Sequence, residues 1–103
     1  MQDELLLQYL RMVCRGKKNL IAGRKLETRL HLSGNELRRR IHRLRCRGLP
    51  IAATRQGYFY AETAADLYAT ILQLQKLRDG TDAAIRGLEA AMERFGEPGG
   101  RSG

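Results

Sequence analysis

The sequence predicts a mainly α-helical domain of the α+β class, with one small hairpin and a carboxy-terminal long helix or helical hairpin. Three observations carry that expectation. Apolar residues return every three or four positions in successive segments, as they do in helices that bury one face. Around a turn at Arg55 to Gly57, a strand-like Ile51 to Thr54 is followed by Tyr58 to Tyr60 alternating like a second strand. From Ala64 onward the alternating spacing of three and four is kept through Leu67, Ile71, Leu74, Arg78, Thr81, Ile85, Leu88, Met92 and Phe95, which is a heptad seam.

Length and composition bound the reading. At 103 residues the chain has room for one compact core, and part of it is expected to be an appendage. An apolar share of 43% beside 29% charged residues suits a folded chain rather than a disordered one. No apolar run approaches the roughly 20 residues that span a bilayer, and "MQDELLLQYLRMV" is acidic and amphipathic, unlike a signal peptide. A cytoplasmic protein with no membrane partner is the expectation. Cys14 and Cys46 form no close pair; His42 and Cys46, one helical turn apart, make half of a zinc site that no CxxC or HxxxH completes. With serines only at 33 and 102 and no acid at triad spacing from either histidine, neither an enzyme nor a cofactor is expected.

Each element has its own signal. "GRKLETRLHL", Gly23 to Leu32, reads as a short helix with Leu26 and Leu30 inward. A few residues later Ser33 and Glu36 have the spacing of a capping box, so the next helix starts at Gly34, and Gly48 before Pro50 stops it. Leu37, Ile41 and Leu44 form its apolar stripe; Asn35, Arg39, His42 and Cys46 lie opposite, flanked by Arg38 and Arg43. Two helices this close have helix-turn-helix spacing. Beyond them, Ile51 to Thr54 and Tyr58 to Tyr60 read as strands around a turn at Arg55, Gln56 and Gly57, which puts an arginine at the hairpin tip.

Charge is concentrated in the same region. Between Arg15 and Arg55, thirteen lysines and arginines stand against Glu27 and Glu36, whereas the segments on either side carry a small excess of acid. Six of those arginines fall between Ser33 and Ile51. Such a block on a folded element implies a polyanionic partner, nucleic acid first and an anionic membrane surface second. The amino end of the basic helix, with its unpaired N–H groups, has the arrangement that suits phosphate.

The frame "KLETRLHLSGNELRRRIHRLRCRGLPIAATRQGYFY" resembles the winged helix-turn-helix domains of bacterial and phage regulators, in particular the biotin-operon-repressor-like branch. Leu26, Leu30, Leu37, Ile41 and Leu44 fall at its core positions, and Gly48, Ile51, Gly57 and Tyr58 are in register with it. The resemblance extends over about residues 3 to 61, with "ELLLQYLRMV" as a preceding support helix and Asn19 to Ile21 as a short strand. It implies a sequence-specific double-stranded DNA-binding protein in which Ser33 to Arg47 enters the major groove and Arg55 to Gly57 lies along the backbone or minor groove. Charge density favours DNA contact on the outward face, at Asn35, Arg38, Arg39, His42 and the flanking Arg43; the resemblance adds Ser33 at the helix start and Arg55 and Gln56 on the wing, and Lys17, Lys18 and Arg24, before the first helix of the pair, are expected as phosphate contacts. Arg40, Arg45 and Arg47, lateral on the helix, are expected to meet phosphate or solvent. The crowding with arginine departs from the family pattern and leaves base selectivity open.

The remainder divides the chain into 1–61, a DNA-binding domain; 62–95, a helical dimerisation segment; and 96–103, a flexible glycine-rich tail. Arg78 and Thr81 beside Gly80 mark where a break into a helical hairpin would fall. A small winged domain offers little spare apolar surface, so the seam is expected to make a homodimer through Leu67, Ile71, Leu74, Ile85 and Leu88. The reading is therefore a dimeric regulator of transcription. Its alternatives are a protein–protein adaptor or assembly module built on the winged fold, and a phage or plasmid replication or packaging accessory factor.

Overall fold

A computed structural model describes residues 2–96. The chain is mainly helical with a two-stranded antiparallel sheet: α1 (Gln2–Val13), a short 3-10 helix (Lys17–Asn19), α2 (Gly23–Leu30), α3 (Gly34–Cys46), β1 (Ile51–Thr54), β2 (Gly57–Tyr60) and α4 (Ala64–Glu93). It divides into two compact units, Met1–Thr70 and Ile71–Gly103, so the first turns of α4 belong with the elements that precede it. The expected tail lies, beyond Gly96, outside the described residues.

Helices α1 to α3 meet around Leu6, Leu7, Leu10 and Cys14 of α1, Leu26 of α2, and Leu37, Ile41 and Leu44 of α3, with Ile21 and Ile51 completing the cluster. Each fully buried leucine or isoleucine contributes about 1.5–3 kcal/mol. A second cluster, Ala52, Phe59 and Ala61, lies with Leu20 and Leu67. Ile51 belongs to one cluster and Ala52 to the other, as do Tyr58 and Phe59, so both faces of the hairpin are covered. The Ala53 N–H donates to Thr70 Oγ1 at 3.2 Å, which ties β1 to α4.

Helix α3 has the ends its sequence announces. Ser33 Oγ accepts from the Glu36 N–H at 3.1 Å. At the other end Gly48, at φ 87°, allows its own N–H to reach Arg45 O and that of Leu49 to reach Leu44 O, the two bonds of a Schellman motif. The other half of the capping box is replaced: the Glu36 carboxylate pairs with Arg39 and Arg40. Helix α2 is shorter than expected. His31 turns left-handed at φ 57° and ends it at Leu30.

The hairpin is tighter than expected, with Thr54 opposite Gly57 and only Arg55 and Gln56 in the loop. Gly57 is part of β2 because its missing side chain admits another backbone; a Cβ there would stand 2.1 Å from Ile21 O. Ile21 and Tyr58 exchange both N–H···O bonds at 2.9 Å. The strand expected at Asn19 to Ile21 is reduced to this one residue, since Asn19 ends the 3-10 helix. Helix α4 runs unbroken through Gly80, so no helical hairpin forms. One interior glycine costs a helix about 1 kcal/mol, and the alanines and leucines on either side outweigh that.

Candidate nucleic-acid interface

The outward side of α3 is built by elimination. Leu37, Ile41 and Leu44 are consumed by the core, which leaves Asn35, Arg38, Arg39, His42, Arg43 and Cys46 exposed. Their side chains are partly ordered by one another. Arg38 donates to Asn35 Oδ1 at 2.6 Å, and Arg39 to Glu36 Oε1 at 2.7 Å. His42 Nε2 stands 3.5 Å from Cys46 Sγ, and no group of three or more possible metal ligands occurs among the described residues. Ser33 is exposed but serves as the cap, and the Glu27 carboxylate also approaches this helix end, 3.3 Å from where a Cβ on Gly34 would be. The amino end of α3 is thus partly answered by groups of the chain itself.

One flank of α3 is not bare. Arg43 forms a fork with Asp3, Nε to Oδ2 at 2.8 Å and a second nitrogen to Oδ1 at 3.0 Å, while half of its side chain remains exposed. Arg40 bridges Asp3 at 3.1 Å and Glu36 at 2.9 Å, and Arg47 meets Glu4 at 3.0 Å. Two arginine partners hold the Asp3 carboxyl at about 2, below its ordinary 3.8, with the Arg43 hydrogen bond the largest cause. Hydrogen bonding to Arg39 likewise lowers Glu36. On the other flank Arg45 is half-buried, donates Nε to Ile51 O at 2.9 Å, and is lowered by desolvation. Of the three arginines expected to face phosphate or solvent, Arg40 and Arg45 are engaged within the chain, whereas Arg47 pairs with Glu4 and keeps half of its side chain exposed. Local spacing accounts for the Arg40–Glu36 pair but gives no hint of the pairs with Asp3 and Glu4, which lie about forty residues away in sequence.

A second basic group gathers around the Ile21–Tyr58 pairing. The hairpin loop carries Arg55 and Gln56, both exposed, with the Gln56 N–H held by Thr54 Oγ1 at 3.0 Å. Gly57 packs against the backbone of Ile21 and Ala22, and Ala22 caps α2, whose first turn carries Arg24. Lys17 and Lys18 of the 3-10 helix precede the same strand residue. Lys17, Lys18, Arg24 and Arg55 make no ion pair among the described residues. Helix α2 joins the two groups: its amino end carries Arg24, and Glu27 near its carboxyl end approaches Gly34 of α3.

The proposed dimer positions divide. Leu67 packs within the chain beside Ala52, Phe59 and Ala61, whereas Ile71, Leu74, Ile85 and Leu88 are between 44% and 68% exposed. Among the described residues no helix is long and apolar enough to cross a membrane. No family model matches the chain, and neither a curated protein nor a solved structure matches it.

Proposed function

We propose that this chain is a double-stranded DNA-binding protein of the winged helix-turn-helix kind, acting as a regulator of transcription. In this reading α2 and α3 form the helix-turn-helix, α3 enters the major groove, and the loop at Arg55 and Gln56 is the wing. The observation that carries it is the side of α3 the core does not use: Asn35, Arg38, Arg39 and His42 stand exposed together, and the acids that neutralise Arg40, Arg43 and Arg47 leave Arg38 without an ion pair among the described residues. An amide, two guanidiniums and an imidazole on one helix face can hydrogen-bond base edges, and guanidinium pairs bidentately with guanine. Lys17, Lys18, Arg24 and Arg55 supply phosphate contacts, which set register and affinity rather than sequence. Two copies pair through the exposed part of α4.

The test is duplex binding against salt. Several released counterions per complex make affinity fall by roughly 10³-fold or more between 50 and 200 mM salt. Affinity that stays flat over that range removes DNA from the reading and favours a protein partner. A steep fall with no preference in a random-sequence selection keeps the duplex and removes the regulator.

A further inference from the structure

Resting on the reading that α3 meets a duplex, we infer that Arg40, an arginine enclosed within the chain, is a positioning residue: through Glu36 it fixes the guanidinium of Arg39 and so sets the base preference of α3. Arg40 is poorly placed to touch a duplex itself. Its side chain is 14% exposed, one terminal nitrogen bonds Asp3 Oδ1 at 3.1 Å and the other bonds Glu36 Oε2 at 2.9 Å. Its Nε is buried and has no hydrogen-bond partner among the described residues. Arg39, next in sequence, is the opposite case. Its side chain is 65% exposed, and one nitrogen bonds the other oxygen of the same carboxylate, Glu36 Oε1, at 2.7 Å. Glu36 therefore stands between an enclosed arginine and an exposed one, with one oxygen for each.

An exposed ion pair on a helix orders its side chains weakly, because both ends are free to move. Here one end is not. Glu36 is tied to Arg40, and Arg40 to Asp3 of α1, whose carboxylate is also held by the Arg43 fork. The line Asp3, Arg40, Glu36, Arg39 thus runs from the packed contact of α1 with α3 to the outward side of α3. With Glu36 Oε1 fixed in this way, Arg39 has less freedom left to lose when it closes on a partner. Its remaining nitrogens make no hydrogen bond among the described residues, which leaves the two N–H groups that a bidentate contact with guanine needs. Arg38 differs, because its partner Asn35 is itself exposed.

Glu36 also has a competing use that it does not take. At the third position of the helix its carboxylate would ordinarily reach back to the Ser33 N–H, yet both oxygens are turned to arginines. A purely electrostatic role for this acid makes the opposite prediction from positioning. On a surface offered to a polyanion, removing a carboxylate would by itself raise affinity for every duplex alike. Loss of positioning lowers the preference for one sequence instead.

Titration of the full chain on the duplex preferred in a random-sequence selection, and on a scrambled duplex, gives the ratio of the two affinities. A change in folded fraction leaves that ratio untouched, because it scales both affinities alike. In Arg40→Gln and in Glu36→Gln the ratio should fall by on the order of tenfold, within the discrimination that one bidentate base contact supplies. Added to Arg39→Ala, Arg40→Gln should lower it no further, since the residue through which it acts is gone. A ratio unchanged in either single variant, with a wild type that keeps its preference, overturns the inference and leaves the DNA reading standing. So does a further fall on the Arg39→Ala background. A wild type that binds no duplex, or binds all sequences alike, overturns base reading by α3 and the inference together. Should Arg40→Gln not fold, Glu36→Gln, which leaves the Arg40–Asp3 pair in place, decides by the same ratio on the same two backgrounds.

Discussion

Arg39 and Lys18 carry the same charge in two different settings. Arg39 stands on the outward side of α3 and is steadied by Glu36 one turn back, whereas Lys18 lies on the 3-10 helix with no ion pair among the described residues. If α3 reads bases, Arg39→Ala should lose about 1–3 kcal/mol on the preferred site and relax one base position, while Lys18→Ala weakens all sequences alike. Binding titrations on preferred and scrambled duplexes separate the two; equal losses on both duplexes from both variants would make Arg39 a phosphate contact. Asp3 acts on stability instead. Its carboxyl titrates at about 2 in the folded chain against an ordinary 3.8, so the unfolded chain takes up the proton first. The contribution is fully present above pH 4 and is lost as the pH falls from there towards 2. Asp3→Asn should cost roughly 1 kcal/mol at neutral pH, as partly exposed pairs do, and flatten the loss between pH 4 and 2. Acid-unfolding curves that superimpose on the wild type after normalisation would remove Asp3 as the titrating group.

At the scale of elements, the hairpin depends on Gly57 more than on any strand propensity. Four-residue strands joined by a two-residue loop are too short to stand alone, and this pair is held by a core cluster on each face and by Ile21 along one edge. A methyl group at position 57 would overlap Ile21 O and Ala22 N, so Gly57→Ala must open the two Ile21–Tyr58 hydrogen bonds. A destabilisation of about 2–4 kcal/mol is expected, measured by denaturant unfolding. A loss below about 0.5 kcal/mol would mean the edge pairing is dispensable. Arg55, Gln56 and the start of α2 are positioned by that same pairing, so on the proposed reading duplex affinity should fall with it.

For the whole molecule the question is what covers the exposed seam. Ile85 is 48% exposed in the single chain, so a carboxylate there remains hydrated and the first compact unit should unfold as before. In a paired seam the same carboxylate is buried without a partner. Ile85→Asp should therefore weaken association by on the order of 100-fold or more, as expected for burying an uncompensated polar group. Sedimentation equilibrium of wild type and variant decides it: identical association constants would show that the seam is not the contact. On the proposed reading, a dimer would double the DNA contacts, and its two-fold symmetry would favour an inverted repeat with half-sites on one face of the duplex.

Sequence by itself determined the local events. Ser33 and Gly48 bound α3 because capping depends on side-chain oxygens and glycine torsions a few residues away, and Leu37, Ile41 and Leu44 had to face inward because they are that helix's aliphatic side chains and share one face. The turn at Arg55 and the long repeat after Ala64 were legible for the same reason. Tertiary structure alone decided which positive charges are available. Asp3 and Glu4 take up Arg40, Arg43 and Arg47 from about forty residues away, and Ile51 O takes Arg45, none of which any periodicity encodes. It also drew Leu67 out of the seam and into the cluster of Phe59. The physical reason is range: caps and turns are settled by neighbours in sequence, whereas ion pairs and core contacts join residues that only the packed chain brings within a few ångströms.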